Sequence, residues 1–380
     1  MRIGIVTSSY PISSADTVTA GVFVSDVAHE LADFGHQVHV LTPRKYGQAE
    51  PSERIPVYFI PWWGGEKDLA SVSLHNPFTL FRYATLVVSG LWHVGQYARQ
   101  HQLDALLAMW TIPSGLFCWQ AWRQHGIPYG VWALGSDIWA RDKYPFGDRI
   151  VRQVLRDAKF RFADGVQLAR DASQLAGADC EFVPSVRQLP VGRPPPPVEL
   201  PPGLPHLLFI GRYERNKGPD VLVEAMRVLI DRGSRAHLYL FGVGSLESHL
   251  RERVSGHEEY IHLGGYAPLE TVMAYMSACD RLVIPSRIES IPLIFVDALQ
   301  MRIPVISTDV GDLGDLVRHM GVGQVVPSEN PPALATAMQA ALTQPRSEYD
   351  HVWAAAQQRF DLKRSVSRCV AAFAAAQGGA

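Results

Sequence analysis

Two acidic residues stand eight positions apart in the apolar segment SRIESIPLIFVDALQ, residues 286–300. Glu289 precedes a run typical of a buried helix, and Asp297 lies inside that run. Acids are seldom fully buried without a partner, so the pair indicates a ligand or a cation. The alternative is that Glu289 only complements the positive end of a helix and that Asp297 faces outward.

The backbone between the two acids could bind an anion. Pro292 suits the first turn of a helix, which would leave the N–H groups of Ser290, Ile291 and Leu293 available to phosphate oxygens. Eight helical residues span about 12 Å, a length comparable to the ribose, diphosphate and hexose of a nucleotide sugar. A carboxylate at each end could then accept hydrogen bonds from sugar hydroxyls.

Two cations follow another predicted strand. In IGRYERNKGPD, residues 210–220, the strand ends at Gly211, and Arg212 and Lys217 lie in the polar loop before a helix. Arginine can bind a phosphate in bidentate fashion, and lysine acts as a point charge. Isolated loop cations are more often simply solvated, but this pair lies in the same predicted domain as the two acids. The four residues together favour a diphosphate site.

Alternating strands and helices must position these residues. The alternation predicts parallel sheets with helices on both faces, and ligands of such folds bind beyond the carboxyl ends of the strands. In the second half, we expect strands at 206–212, 237–243, 260–265, 281–286 and 303–308, and helices at 218–233, 245–254, 269–279 and 292–301.

The first half repeats the alternation less regularly, with its first predicted helix at residues 21–35. A proline-rich stretch, with four consecutive prolines, then interrupts the pattern, because neither a helix nor a sheet interior tolerates such a run. We expect an α/β protein with two doubly wound, Rossmann-like domains facing a cleft. The expected parts are a domain at 1–190, a linker at 191–205, a domain at 206–350, and one or more helices at 351–380, which could cross back to the first domain.

Composition excludes several classes of protein. A net charge of −2 argues against a dedicated nucleic-acid binder. The four cysteines form no Cys-x-x-Cys pair, so neither a disulfide framework nor a zinc site is indicated. The amino terminus reads as a strand rather than a signal peptide, and no apolar run is long enough to span a bilayer. We therefore expect a cytoplasmic protein.

The segments GRYERNKGPDVLVEAM, FGVGSLESHL and LGGYAPLETVMAYMSACDRLVIPSRIESIPLIFVDALQ carry a family resemblance. Over residues 206–327, the chain resembles the carboxyl-terminal half of a family-four retaining glycosyltransferase (group 1) of the GT-B fold. The first half matches only the outline of that family. The resemblance implies transfer of a sugar from a nucleotide-diphosphate sugar to a carbohydrate, lipid-linked or small-molecule acceptor, with UDP, GDP and ADP all open as the nucleotide.

The resemblance also implies roles for individual residues. Arg212 and Lys217 would bind the donor diphosphate, and Glu289 would contact the donor sugar close to the reacting centre. Asp297 matches the second acid of the Glu-x7-Glu motif, which holds the ribose. The remaining donor-site residues would be Gly211, Gly242, Ser290, Ile291 and Leu293, and the acceptor side would include Gly21, from the family's glycine-rich loop, and Asp137.

Three positions depart from the family pattern. Asp297 stands where the family has glutamate, Ser290 where it has glycine, and Leu134 where a histidine is frequent. The last departure puts a histidine-assisted step in doubt and could leave Asp137 or a main-chain group to act there. No Asp-x-Asp triplet occurs in the sequence, so we expect no metal and no cofactor, with the cations neutralising the diphosphate.

Three other functions remain open from the sequence. A GT-B sugar-nucleotide epimerase would share the donor site and need no acceptor. A degenerate, non-catalytic protein could bind a nucleotide sugar without turnover. A nicotinamide oxidoreductase is less favoured, because its glycine fingerprint is only half present at Gly242 and Gly244. A periplasmic binding protein is disfavoured by the expected lack of a signal peptide.

A basic segment, residues 141–161, carries seven cations and three acids. From Asp148 onward its spacing predicts a surface helix with Ile150, Val151, Val154 and Leu155 on one face. The segment is either a solvated helix face or a peripheral contact with the anionic inner face of a membrane. Tryptophans in PWWGG, residues 61–65, could add interfacial anchoring, or could instead line an acceptor site or the core.

Overall fold

The computed structural model describes residues 1–11, 19–44, 54–64, 77–190, 197–341 and 343–378. Contacts divide the chain into two compact units. The first unit comprises Met1–Gln188 together with Leu362–Ala380, and the second comprises Leu189–Asp361. Part of the expected linker, residues 191–196, lies outside the described residues.

The described part of the first unit contains a seven-stranded parallel sheet, in the order β3-β2-β1-β4-β5-β6-β7. Its strands are β1 (Arg2–Val6), β2 (Gln37–Pro43), β3 (Val57–Ile60), β4 (Ala105–Met109), β5 (Tyr129–Ala133), β6 (Phe160–Ala163) and β7 (Glu181–Phe182). Its helices before the second unit are α1 (Thr19–Asp33), α2 (Pro77–Gln100), α3 (Leu116–His125), α4 (Ser136–Trp139), α5 (Gly147–Asp157) and α6 (Val166–Ala176).

The pattern of buried residues explains why these segments form strands and helices. Every residue of β4 and β5 is buried, as expected for central parallel strands that helices cover on both faces. The apolar stripe of α1 is buried as its spacing predicts, with Val24, Val27 and Leu31 all inaccessible to solvent.

The second unit contains a six-stranded parallel sheet, in the order β10-β9-β8-β11-β12-β13. Its strands are β8 (His206–Ile210), β9 (His237–Phe241), β10 (Ile261–Leu263), β11 (Arg281–Ile284), β12 (Val305–Thr308) and β13 (Gly323–Val326). Its helices are α7 (Pro219–Asp231), α8 (Glu247–Val254), α9 (Leu269–Ala278), α10 (Leu293–Gln300), α11 (Leu313–Met320), α12 (Pro331–Ala341) and α13 (Trp353–Arg359).

A final helix, α14 (Leu362–Gly378), returns the chain to the first unit. It packs against α1. Ser365 Oγ donates to the carbonyl of Pro184 at 3.2 Å, and the rings of Phe373 and Phe160 meet edge to face at 4.9 Å. The first unit is therefore built from two separate stretches of sequence.

Three histidines line the amino ends of neighbouring strands in the second unit. The ring centroids of His206 and His237 are 5.4 Å apart, and those of His237 and His262 are 5.3 Å apart. His237 Nδ1 lies 3.1 Å from His262 Nε2. Burial lowers the pKa of His206 and of His262, so the neutral imidazole is favoured at these two positions.

Among the described residues, no helix combines the length and the apolar character needed to cross a membrane.

Candidate functional site

The order of strands in the second sheet reverses beside β8. Strand β9 pairs with one edge of β8, and β11 pairs with the other. In such parallel sheets, the loops diverge at this switch point and leave a crevice beyond the carboxyl ends of the strands. Arg212 and Lys217 follow β8, and Glu289 follows β11. The topology therefore places the predicted cations and the first predicted acid at the two strands that border the crevice.

Lys217 and Glu289 form an ion pair. Lys217 Nζ donates to Glu289 Oε1, and the two side chains are only 23% and 13% exposed. Ser286 Oγ contributes a weaker hydrogen bond to the same carboxylate oxygen, at 3.4 Å. Because both side chains are partly shielded from solvent, the attraction between their opposite charges holds them in one geometry. The site therefore presents a positioned ammonium and carboxylate rather than two independent loop charges.

Two glycines allow the turns around this pair to approach one another. Gly218 has φ +69° and Gly311 has φ +52°, a region that favours glycine. A Cβ at Gly218 would collide with the carbonyl of Pro285, and a Cβ at Gly311 would collide with the carbonyl of Glu289 itself. A side chain at position 218, directly after Lys217, or at position 311, against the backbone of Glu289, would therefore force these turns apart.

Glycines predicted at the donor site have a similar packing role. A Cβ at Gly242, after β9, would strike the carbonyl of Gly211, after β8. Gly211 N also donates to the carbonyl of Phe241 at 3.0 Å. The half fingerprint at Gly242 and Gly244 therefore has a structural explanation, since Gly244 packs in the same way against the backbone of Tyr213. This packing removes the motif's support for a nicotinamide site.

Arg212 differs from Lys217. Its side chain is exposed, and within the described ranges no ion pair joins it to a carboxylate. An exposed guanidinium outside an ion pair is available to an anion from solution. The structure thus gives the two predicted cations different states, one paired and one open.

The segment after Glu289 is not helical at first. Helix α10 begins at Leu293, and Pro292 precedes it in an extended conformation, so the expectation that Pro292 lies in the first turn is wrong. The estimate of about 12 Å assumed a continuous helix from Glu289, and it does not apply. Ser290 is 9% exposed, and its Oγ has no hydrogen-bond partner among the described residues. Ile291 beside it is also buried.

Asp297 is fully buried in α10, a helix whose residues Phe295–Leu299 are buried on all sides. The alternative in which it faces outward is therefore wrong. A fully buried carboxylate requires hydrogen-bonded or charged partners within the protein. For Asp297 to contact a ribose, the donor would have to reach into the protein interior at α10.

Gly21 and Asp137 lie in the first unit. Gly21 is in the first turn of α1 rather than in a loop, and a Cβ there would come 2.9 Å from the backbone nitrogen of Tyr10. Asp137 is 2% exposed. It accepts hydrogen bonds from the backbone N–H groups of Thr111 at 2.6 Å and Leu134 at 3.1 Å. Burial raises the pKa of Asp137, and the carboxylate ties the turn after β5 to the segment after β4.

Arg287 was missed by the sequence analysis. Its guanidinium binds both carboxylate oxygens of Asp220, at 2.8 and 2.9 Å, and one oxygen of Glu329 at 2.7 Å. In the sequence it is one more loop cation, and its partners are 67 and 42 residues away. No local signal could have found them.

The basic segment forms α5 as its spacing predicts, with Val151, Val154 and Leu155 buried and Ile150 half-buried. Three of its seven cations serve the fold. Arg141 and Arg152 both bind Asp148, and Arg161 donates to carbonyls at the end of α5. The exposed cations that have no hydrogen-bond or ion-pair partner within the described residues are Lys143, Arg149, Arg156 and Lys159.

Among the described residues, no group of three or more histidines, cysteines or acids is placed to hold a metal ion.

Family models match most of the chain. The model described as "Glycosyl transferase 4-like domain" matches residues 19–192, and that described as "Glycosyl transferases group 1" matches residues 204–344. TuaC of Bacillus subtilis (strain 168), named as a teichuronic acid biosynthesis glycosyltransferase, is 27% identical over 93% of this chain and 90% of its own. A D-inositol 3-phosphate glycosyltransferase of Thermobispora bispora is 26% identical over 88% of this chain and 85% of its own.

Solved structures share the architecture. The sucrose-phosphate synthase of Thermosynechococcus elongatus has a TM-score of 0.78 at 18% identity, with all of both chains covered. HepE of Anabaena, solved with UDP, has a TM-score of 0.71 at 16% identity over 99% of this chain and 100% of its own. At these identities, the likeness establishes the fold alone, which is the GT-B arrangement of two Rossmann-like domains.

Proposed function

Because the chain belongs to the group 1 glycosyltransferases of the GT-B fold, we propose that it transfers a sugar from a nucleotide-diphosphate sugar to a carbohydrate or lipid-linked acceptor with retention of anomeric configuration. The observation that carries the donor half is the Lys217–Glu289 pair at the switch point of the second sheet. The exposed Arg212 follows the same strand as Lys217.

The proposed chemistry uses these three side chains in different ways. Arg212 and Lys217 bind the diphosphate, whose negative charge grows as the bond to the sugar breaks. Positioned cations stabilise that developing charge more than they stabilise the bound ground state, which is the kind of binding that raises a rate. Glu289 accepts hydrogen bonds from the sugar hydroxyls and orients the anomeric carbon.

Retention follows if attack and departure occur on the same face of the sugar. The bond from the anomeric carbon to the diphosphate oxygen breaks, and the acceptor oxygen bonds to that carbon from the same side. The acceptor proton passes to the departing diphosphate oxygen, so no protein base is consumed and no covalent enzyme intermediate forms. This step fits a site in which Glu289 is already bound to a lysine.

We propose that transfer needs no metal ion, since Arg212 and Lys217 can neutralise the diphosphate. The sequence has no Asp-x-Asp triplet to hold a divalent cation against it. Activity should survive EDTA. Full loss of activity in EDTA that Mn²⁺ restores would contradict this part of the proposal.

A donor screen tests the proposal directly. UDP-, GDP- and ADP-sugars are compared for thermal stabilisation, and a ligand at about 100 times its Kd adds roughly 2.7 kcal/mol. UDP-sugars come first, because HepE of the same fold was also solved with UDP-glucose. Product NMR then reports the anomeric configuration. Epimerisation of the donor without acceptor, an inverted product, or stabilisation without turnover would each refute the proposed reaction.

We further propose that the first unit rests on an anionic membrane surface that presents the acceptor. The four exposed cations of residues 141–161 that have no partner within the described residues support this, at about 1 kcal/mol each on an anionic leaflet. Exposed aromatic side chains lie near them. Phe146 is 82% exposed. The half-buried ring of Tyr144 lies 5.8 Å from that of Tyr83 in α2, which joins the segment to that helix.

Helix α2, which meets this segment at the Tyr83–Tyr144 pair, carries further exposed aromatic side chains. It contains no acidic residue over Pro77–Gln100. Phe78 is 66% exposed, Phe81 52% and Trp63 73%, with the rings of Trp63 and Phe81 5.7 Å apart. Aromatic side chains of this kind favour the interface between headgroups and acyl chains. Together with the cations, they fit an anionic lipid surface better than bulk water.

Co-sedimentation with vesicles tests the membrane contact. The wild type should pellet with phosphatidylserine-containing vesicles at low salt, and release as salt rises. Replacing Lys143, Arg149 and Arg156 by glutamine should weaken pelleting several-fold. A control that loses the same charge at scattered exposed sites outside this surface, Arg170, Arg359 and Lys363, should pellet like the wild type. Equal pelleting with neutral and anionic vesicles would favour an acceptor in solution.

A further inference from the structure

Arg287 is the most extensively bonded side chain near the candidate donor site. It lies two residues before Glu289 in the turn after β11, and its side chain is 14% exposed. Its guanidinium donates to Asp220, to Glu329 and to the carbonyl of Arg215. These hydrogen bonds use Nε and both Nη atoms, so the planar fork is committed to the protein.

These bonds join the two turns that carry the paired residues. The Arg287 N–H donates to the carbonyl of Asn216 at 2.8 Å, and its Nη1 donates to the carbonyl of Arg215 at 2.6 Å. Lys217 is the next residue after Asn216, and Glu289 follows Arg287 by two. The turn after β8 and the turn after β11 are therefore fastened together immediately beside the Lys217–Glu289 pair.

Two carboxylates hold Arg287 in place from further away. Asp220 lies in the first turn of α7 and makes the bidentate contact, and Glu329 approaches from the loop after β13. Burial alone would raise the pKa of Asp220, but the hydrogen bonds from Arg287 more than offset it, so the pKa is lowered. The cation at position 287 is thus neutralised by the protein itself.

We propose that Arg287 is a positioning residue, which sets the spacing between the strand-end turns so that Lys217 and Glu289 meet the donor together. This inference rests on the proposed function of that site. A phosphate-binding role would need an exposed, unpaired guanidinium such as that of Arg212. Arg287 has the opposite character, since it is shielded, paired twice and bonded to backbone. A displacement of about 1 Å at a reacting centre can cost on the order of a hundredfold in rate.

The test compares Arg287→Gln and Arg287→Lys with a matched control. Arg346 also binds several carbonyls of the second unit, those of Met276, Ser277, Cys279, Met301 and Arg302. These carbonyls precede the amino ends of β11 and β12, so Arg346→Gln should destabilise the unit without moving the turns at the carboxyl ends. All assays run well below the Tm of the weakest variant.

We expect Arg287→Gln to lower kcat/KM about 10–100-fold, while Arg346→Gln stays within about threefold of the wild type at an equal or larger loss of Tm. Arg287→Lys should recover only part of the activity, because an ammonium cannot make the bidentate fork. It also provides a second variant should the glutamine variant not fold. Equal losses for Arg287→Gln and Arg346→Gln would overturn the proposal and indicate a purely structural residue.

Donor affinity measured in a variant that lacks the Lys217–Glu289 pair distinguishes a positioning role from a direct one. If Arg287 acts through Lys217 and Glu289, then adding Arg287→Gln to the Lys217→Ala/Glu289→Gln variant should weaken donor binding less than twofold further. A full additive loss would show that Arg287 acts on the donor by itself. A wild type that turns over no donor would remove the proposed function, whereas an active wild type with an equally active Arg287→Gln would remove only the positioning role.

Discussion

The ion pair between Lys217 and Glu289 should be measurable in the free protein as a coupling energy. The variants are Lys217→Met, Glu289→Gln and the double substitution. Exposed pairs contribute about 0–1 kcal/mol, and breaking a fully buried pair costs about 3–5 kcal/mol. With 23% and 13% of the two side chains exposed, this pair lies between those limits.

We therefore expect Lys217→Met to lower the free energy of unfolding by about 1–2 kcal/mol, because it leaves the Glu289 carboxylate shielded without its cation. Glu289→Gln should cost less, since the lysine ammonium can swing out to water. The double variant removes both charges, so its loss should fall short of the sum by about 1 kcal/mol. In a domain of this size, 1 kcal/mol corresponds to roughly 2–4 °C in Tm.

Urea unfolding of the four proteins at pH 7.5 gives the three differences, and repeating the series in 1 M NaCl tests the shielding. A half-shielded pair should keep most of its coupling in salt. Additivity within about 0.3 kcal/mol would refute the reasoning, because it would mean that the two groups do not meet before a donor is bound.

Three further outcomes are expected. Arg212→Ala should cost about 2–4 kcal/mol of transition-state stabilisation, or roughly 30–1,000-fold in kcat/KM; an unchanged rate would remove Arg212 from the site. Glu289→Gln should mainly lower kcat and Asp297→Asn should mainly raise the donor KM, and the reverse pattern would exchange the two roles. Burial lowers the pKa of His206 and His262, so the unfolded chain gains protons near pH 6.5 before the folded chain does. The free energy of unfolding should therefore fall as pH drops from about 7.5 to 5.5, and His206→Asn with His262→Asn should reduce that slope; a slope equal to that of the wild type would contradict the assignment.

The sequence was sufficient to predict the two parallel sheets and the residues that follow the carboxyl ends of their strands. After His206, strand β8 is an apolar run followed by Gly211, and β11 is followed by Pro285. In parallel sheets such breaks mark the carboxyl ends of the strands. Arg212 and Glu289 could therefore be assigned to the same end of the sheet before any contact was known. The family resemblance then supplied the roles that spacing alone could not.

The contacts that fix the site could not be predicted in the same way. The partners of Arg287 lie on α7 and after β13, so only the folded sheet brings them together. The pattern around Pro292 was ambiguous for a different reason. A proline suits both the first helical position and the residue before it. Here Pro292 lies before the first helical residue, so α10 begins only at Leu293 and Glu289 lies outside the helix.

The return of α14 to the first unit has a consequence for synthesis on the ribosome. Residues 1–188 emerge first, but the helix that packs on α1 follows only after the whole of the second unit, residues 189–361. At about 5–20 residues per second, that interval lasts on the order of 10–35 s. During this time the apolar side chains of the first unit that later pack against Val366, Cys369 and Phe373 of α14 remain exposed to solvent. The nascent first unit therefore exposes apolar side chains that a chaperone could cover until α14 has been made.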